Sequence, residues 1–111
     1  MKAEELRIGN LVHDVLNNNA KRINQENLCD FANGYVSFEP IPLTEEWLLK
    51  FGFDETIVEG YPIYQSDKGF IVEYYKDESV FLILDFEVRI KYVHQLQNLY
   101  FALTGLELTI K

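Results

Sequence analysis

Residues 92–106 read YVHQLQNLYFALTGL, fifteen consecutive positions without Asp, Glu, Lys or Arg in a chain whose charged fraction is 25%. At an ordinary charged fraction about four charges are expected in such a window. The apolar residues recur with helical spacing. At about 100° per residue, Tyr92, Leu96, Leu99, Tyr100 and Leu103, with Val93 at the margin, form one stripe that requires a core. The other side carries His94, Gln97, Asn98 and Phe101. A solvated helix face normally carries Lys and Glu. Uncharged amides around an aromatic suit a desolvated surface, because burying an amide costs far less than burying a charge. The spacing predicts a helix over about 92–104, stopped by Gly105 and covered on more than one side. His94, Gln97, Asn98 and Phe101 are therefore the candidate interface. Their cover is either the chain's own N-terminal segment or another molecule, a protein partner or a second copy.

The rest of the composition narrows the class. A chain of 111 residues fits one domain, 1–111, which subdivides on pattern into 1–39 and 40–111. Hydrophobic residues at 48% and aromatic residues at 14% specify a folded chain, since disorder requires low hydrophobicity. The formal charge is −8, and the three arginines, Arg7, Arg22 and Arg89, stand far apart. Phosphate binding needs clustered cations, so no nucleic-acid partner is expected, nor an anionic membrane surface. Cys29 is the single cysteine, which excludes an intrachain disulfide and a cysteine-clustered zinc site. The N-terminal residues lack the apolar core of a signal peptide. The longest apolar run, residues 80–84, falls well short of the roughly 18 residues a membrane helix needs. A cytoplasmic location is the expectation.

Along the chain the pattern is α+β, with small antiparallel sheets. Residues 6–16 read as a strand entry with a turn or bulge at Gly9-Asn10, and the run Asn17, Asn18, Asn19 reads as a hairpin turn. Residues 20–28 read as a returning strand. Asn33-Gly34 ahead of Tyr35, Val36, Ser37 and Phe38 is a hairpin signal. Residues 6–38 together read as an antiparallel meander, rolled in the manner of an SH3 domain. Pro40-Ile41-Pro42 is a stiff connector. A short helix over about 45–51 follows, with Thr44 as N-cap, Glu45 and Glu46 complementing the dipole, Leu43 and Leu48 as a hydrophobic staple, and Gly52 closing a Schellman turn against Phe53. Residues 60–68 read as turn-rich, with Pro62 restricting any ladder to an edge. Residues 70–75 and 80–86 read as paired strands around a turn at 76–79, the second strand central and covered on both sides because Val80, Leu82, Leu84 and Phe86 alternate with Phe81 and Ile83. Residues 87–91 alternate charged with apolar and either continue that strand or lead into the helix. Leu106, Leu108 and Ile110 alternate with polar residues as a terminal strand.

Three blocks, LRIGNLV at residues 6–12, PIPLTEEWLLKFGF at 40–53 and IKYVHQLQNLYFALTG at 90–105, resemble a family of short uncharacterised proteins encoded by gut anaerobes and by their phages and prophages. The blocks cover about a third of the chain. The resemblance implies a small compact unit in a mobile-element context. It supplies no catalytic residue, and Leu106 departs from the acidic residue that follows the Thr-Gly pair in that family.

The chemistry-bearing residues are sparse. No phosphate loop, dinucleotide fingerprint, nucleophile elbow or HExxH motif occurs, and the two histidines, His13 and His94, exclude a histidine-rich metal site. Cys29 lacks a flanking cation to activate it. Glu45 and Glu46 are adjacent on a helix and point apart, so they read as dipole partners rather than an acid pair. Trp47 reads as core, and Tyr61, Tyr64, Tyr74 and Tyr75 as sheet-face packing. No catalytic residue, metal or cofactor is assigned. The expected function is a non-enzymatic protein-interaction module. The alternative is a small-ligand-binding protein or enzyme with a cleft between the N-terminal meander and the C-terminal helix.

Overall fold

A computed structural model describes residues 1–75, 80–83 and 88–111. Its architecture is α+β, with two antiparallel sheets and a long C-terminal helix. The first sheet has the strand order β2-β1-β3, formed by β1 (Leu11–Asp14), β2 (Asn19–Arg22) and β3 (Phe38–Glu39). The asparagine run does make the hairpin turn, with Asn18 in the left-handed region at φ 53° and Asp14 paired with Asn19. The Asp14 carboxylate accepts from the side chain of Asn17 at 2.8 Å and from the backbone N–H of Leu16 and Asn17. These bonds, the Asn17 side chain first, hold the carboxyl below the usual aspartate range.

This sheet is not the expected consecutive meander. After β2 the chain forms a helix, α1 (Gln25–Ala32), and only then returns as β3 on the far side of β1. The polar stretch that weakens the strand reading is a helix start. Asn24 accepts from the Asn27 N–H at 2.8 Å while Asn27 accepts from the Asn24 N–H at 2.7 Å, a reciprocal cap built from two asparagines. Leu28 and Phe31 then lie one turn apart and pack on the small cluster of Leu6, Val12, Ile23 and Phe38. Asn33, expected to open a hairpin, caps the end of α1 by donating to the Cys29 carbonyl.

The short helix α2 (Glu45–Lys50) forms as its ends dictate. Thr44 Oγ1 accepts from the Trp47 N–H, the Phe53 N–H donates to the Leu48 carbonyl at 3.0 Å, and the Gly52 N–H donates to Leu49 at 3.0 Å. That pair of bonds is the Schellman pattern, and it requires the left-handed Gly52, at φ 87°. Leu43, Leu48, Phe51 and Phe53 are all buried, and Trp47 is half-buried against the same core.

The second sheet follows in simple order, β4 (Asp54–Val58), β5 (Tyr61–Gln65), β6 (Ile71–Tyr75), β7 (Val80–Ile83) and β8 (Val88–Ile90). Residues 60–68 are thus less turn-rich than their composition suggests, since they hold β5. A two-residue turn at Glu59-Gly60, both in the left-handed region, joins β4 to β5. Pro62 is tolerated in an inner strand because it lies one residue beyond the last β5–β6 partner, Ile63. The expected turn at 76–79 and the strand end at 84–86 lie outside the described residues.

Tyr64, Val72, Phe81, Ile83 and Ile90 face the main core with α2 and the last helix, α3 (Val93–Thr104). β7 is an inner strand, as expected, but only one of its faces is buried. Phe81 and Ile83 are in the core, whereas Val80 and Leu82 are half-buried. Residues 106–111 form no strand. Leu108 is buried and its carbonyl is taken by a side chain of α3, while the Lys111 N–H donates to Lys50, so the segment is held without a ladder. No described helix is long and apolar enough to cross a membrane.

Replacing Gly52 by alanine places a Cβ in the left-handed region and against the Lys111 side chain. Chemical denaturation should show a loss of about 1–2 kcal/mol, and an unchanged midpoint would contradict the Schellman assignment.

Candidate functional site

The uncharged side of α3 meets the chain's own N-terminal segment. Its Cβ positions are set by the helix, which starts where Gln95 Oε1 turns back to accept from the N–H groups of Lys91 and Tyr92 and stops where the Gly105 N–H reaches the Phe101 carbonyl. The buried face is rotated from the expected stripe. Val93, Leu96, Gln97 and Tyr100 are buried, together with His94, whereas Leu103 is 43% exposed. Gln97 therefore lies in the middle of the buried face, not on its back.

The reason is hydrogen bonding. Gln97 is 1% exposed, and its amide is matched to backbone on three sides. Its Oε1 accepts from the Leu11 N–H at 2.8 Å, and its Nε2 donates to the Gly9 carbonyl at 3.2 Å and to the Leu108 carbonyl at 3.3 Å. Its neighbour Asn98 extends the contact. Asn98 Oδ1 accepts from Arg7 Nη1 at 2.6 Å and Asn10 Nδ2 at 2.8 Å, and its Nδ2 donates to the Glu5 carbonyl at 3.0 Å. The turn predicted at Gly9-Asn10 presents these groups. Asn10 closes it by donating to the Arg7 carbonyl, and its Oδ1 accepts from the Arg7 N–H at 2.6 Å. Arg7 finishes the junction, pairing with Glu107 and lying 4.2 Å above the ring of Phe101. All four candidate interface residues meet residues 5–11 or 108 of the same chain, Phe101 only through Arg7. Phe101 is the exposed one, at 40%.

His94 is the unusual member. It is 2% exposed, its ring stacks on Tyr92 at 5.9 Å, and neither ring nitrogen has a hydrogen-bond partner among the described residues. The Glu5 carboxylate lies close by, its Oε1 3.6 Å from Nε2. Burial pushes the imidazole below the ordinary histidine range, against the opposing pull of Glu5.

A second polar convergence lies in the larger sheet. The hydroxyl of the fully buried Tyr64 faces two carboxylates, Glu45 at the start of α2 and Glu55 on β4, the latter at 2.7 Å. Burial first, and then these two acceptors, raise the phenol well above its ordinary range, so it stays protonated and can donate to a carboxylate. Glu45, which sequence reasoning assigns to the helix dipole, also ties α2 to the sheet. Tyr74 lies in the core face against Phe81, while Tyr61 and Tyr75 meet on the opposite face at 5.8 Å.

At the seam between the N-terminal segment and the C-terminal helix lie the hydrogen-bonded side chains of Gln97, Asn98, Arg7 and Asn10. A surface hollow of about 600 Å³ lies elsewhere, between the N-terminal turn and α1, lined by Met1, Lys2, Ala3, Glu4, Phe31 and Ala32. Among the described residues no group of three His, Cys, Asp or Glu side chains is placed to hold a metal ion. Comparison with models of protein families, with curated proteins and with solved structures finds no match for this chain.

Replacing Gln97 by leucine keeps the volume and strands one N–H and two carbonyls. Urea unfolding should register a loss of roughly 2–4 kcal/mol, more than Asn98→Leu at its half-buried position. Equal, small losses would mean that the amide is solvated instead. His94 sets a pH dependence. Its folded pKa lies below the unfolded one, so the unfolded chain takes up the proton more readily. The stability that neutral His94 contributes is complete above about pH 6.5 and is lost as pH falls from there through the folded pKa. Unfolding free energy should thus be lower at acidic than at neutral pH, and His94→Phe should shrink that difference. A variant with the same pH slope would exclude this role.

Proposed function

We propose that this chain is a non-enzymatic protein-interaction module. The observation that carries the reading is the outer face of the five-stranded sheet. Strand pairing puts Val58, Tyr61, Ile63, Ile71, Val80 and Leu82 on the side opposite the core. None of these belongs to either core cluster. The outer face of a one-sided antiparallel sheet is ordinarily polar, alternating with the apolar core face. Here both faces carry apolar residues over four adjacent strands, the outer one interrupted by Asp54, Thr56, Gln65 and Glu73. A contiguous apolar surface rimmed by polar residues fits a partner, and tyrosine is favoured at such contacts. The formal charge of −8 favours a protein over a nucleic acid as that partner.

The internal cover of α3 supports the same placement. With His94 and Gln97 sealed inside, Phe101 is what the helix back offers, whereas the sheet offers a broad surface. A photo-crosslinking residue at Ile63 or Leu82, introduced in the organism that encodes the chain, should capture a discrete protein. The same residue at exposed Glu26 should not. No adduct at either sheet position would contradict the proposal.

A further inference from the structure

We propose that the edge strand β4 pairs with β4 of a second copy, antiparallel and centred on Thr56, joining two five-stranded sheets. This rests on the interaction-module reading and names a partner for the edge of the same sheet.

β4 is the terminal strand of the sheet, and all five of its residues are exposed. The direction of its backbone groups follows from the turn. A two-residue hairpin loop is closed by a hydrogen-bonded pair, here Val58 with Tyr61. Pairs alternate along an antiparallel ladder, so Ile57–Pro62 and Glu55–Tyr64 are non-hydrogen-bonded. The missing N–H of Pro62 agrees with this parity. The N–H and C=O groups of Glu55 and Ile57 therefore point away from β5, toward the open edge. The strand has neither proline nor lysine, and of its two charged residues, Asp54 and Glu55, the second is engaged by the Tyr64 hydroxyl.

Charge selects the register. Two edge strands can exchange hydrogen bonds only where outward-pointing residues oppose one another. Opposing Glu55 with itself sets carboxylate against carboxylate, and opposing Ile57 with itself sets Glu55 against Glu59. Centring on Thr56 opposes Glu55 with Ile57, Asp54 with Val58 and Glu59 with Phe53, so no acid faces an acid. It is also self-complementary about a two-fold axis, as a closed dimer requires. Glu55 is drawn back from the edge by its bond to the Tyr64 hydroxyl, which lessens its approach to its symmetry mate. Two hydrogen-bonded pairs, Glu55 with Ile57 in each direction, then flank a non-hydrogen-bonded Thr56 pair whose Cα atoms stand about 4.5 Å apart. Because each copy carries a formal charge of −8, the association should strengthen with salt.

Sedimentation over a wide concentration range tests this, with circular dichroism establishing the fold of each variant. The unsubstituted chain should dimerise. Thr56→Lys and Thr56→Glu should each weaken dimerisation about tenfold or more by opposing like charges at the axis, and an equimolar mixture of the two should restore a dimer. Thr56→Cys in a Cys29→Ser background should form a disulfide-linked dimer on oxidation, since the Cα separation lies within disulfide range. The proposal is overturned by an unsubstituted chain that stays monomeric, by a dimer indifferent to either charge, by a mixture that fails to re-pair, or by a Thr56→Cys variant that does not cross-link. A monomer whose Ile63 and Leu82 positions still capture another protein would leave the interaction-module reading standing and remove this one.

Discussion

The fold turns on the amide of Gln97. A primary amide buried at the centre of a helix face is unfavourable unless its donors and acceptor are met. Gln97 meets them with backbone groups of Gly9, Leu11 and Leu108, some 11 to 88 residues away. That one side chain therefore fixes both ends of the chain against α3. Its consequences reach further. By holding Leu11 against the helix it makes β1 a partition, with Leu11 in the main core and Val12 in the smaller cluster under α1. The energetic asymmetry of buried polar groups explains why the arrangement is specific: a shifted register would leave the amide and the backbone groups unsatisfied together.

Local chemistry is legible where it acts locally. Thr44, Gly52 and Phe53 specify α2 because each works within one turn. The absence of charge across 92–106 marks a helix shielded on more than one side. The cover itself is not readable, because the link from Gln97 to Gly9 is made by hydrogen bonds between sequence-distant groups that carry no periodicity. The misreadings have physical causes. Two asparagines three apart form a reciprocal cap, yet asparagine is equally a turn residue, so the pattern of α1 suggests strand and turn. Leu106, Leu108 and Ile110 alternate like a strand, but only Leu108 is buried, and its carbonyl accepts from a side chain rather than from a neighbouring strand. The stripe on α3 is displaced because polarity alone places Gln97 outside; a fully bonded amide behaves as a core residue.

The location of exposed apolar surface follows from this closure. Because residues 5–11 seal one flank of α3 and the larger sheet seals the other, the helix that looks most available in the sequence is largely spent on the chain's own integrity. The sheet has its core face covered, while among the described residues the apolar side chains of its outer face belong to neither core cluster. Tyr64, held between Glu45 and Glu55, keeps β4 anchored to α2 even though the strand itself is exposed on both faces.

Amide hydrogen exchange at Leu11 tests the Gln97 tether most directly. Its N–H ends on a side chain rather than in a sheet ladder, so protection there reports the Leu11–Gln97 bond itself. Leu11 should exchange as slowly as the buried amides of α3, only through unfolding, and Gln97→Ala should accelerate it selectively. Exchange of Leu11 at the rate of an unstructured peptide, while α3 stays protected, would show that the N-terminal segment does not cover the helix.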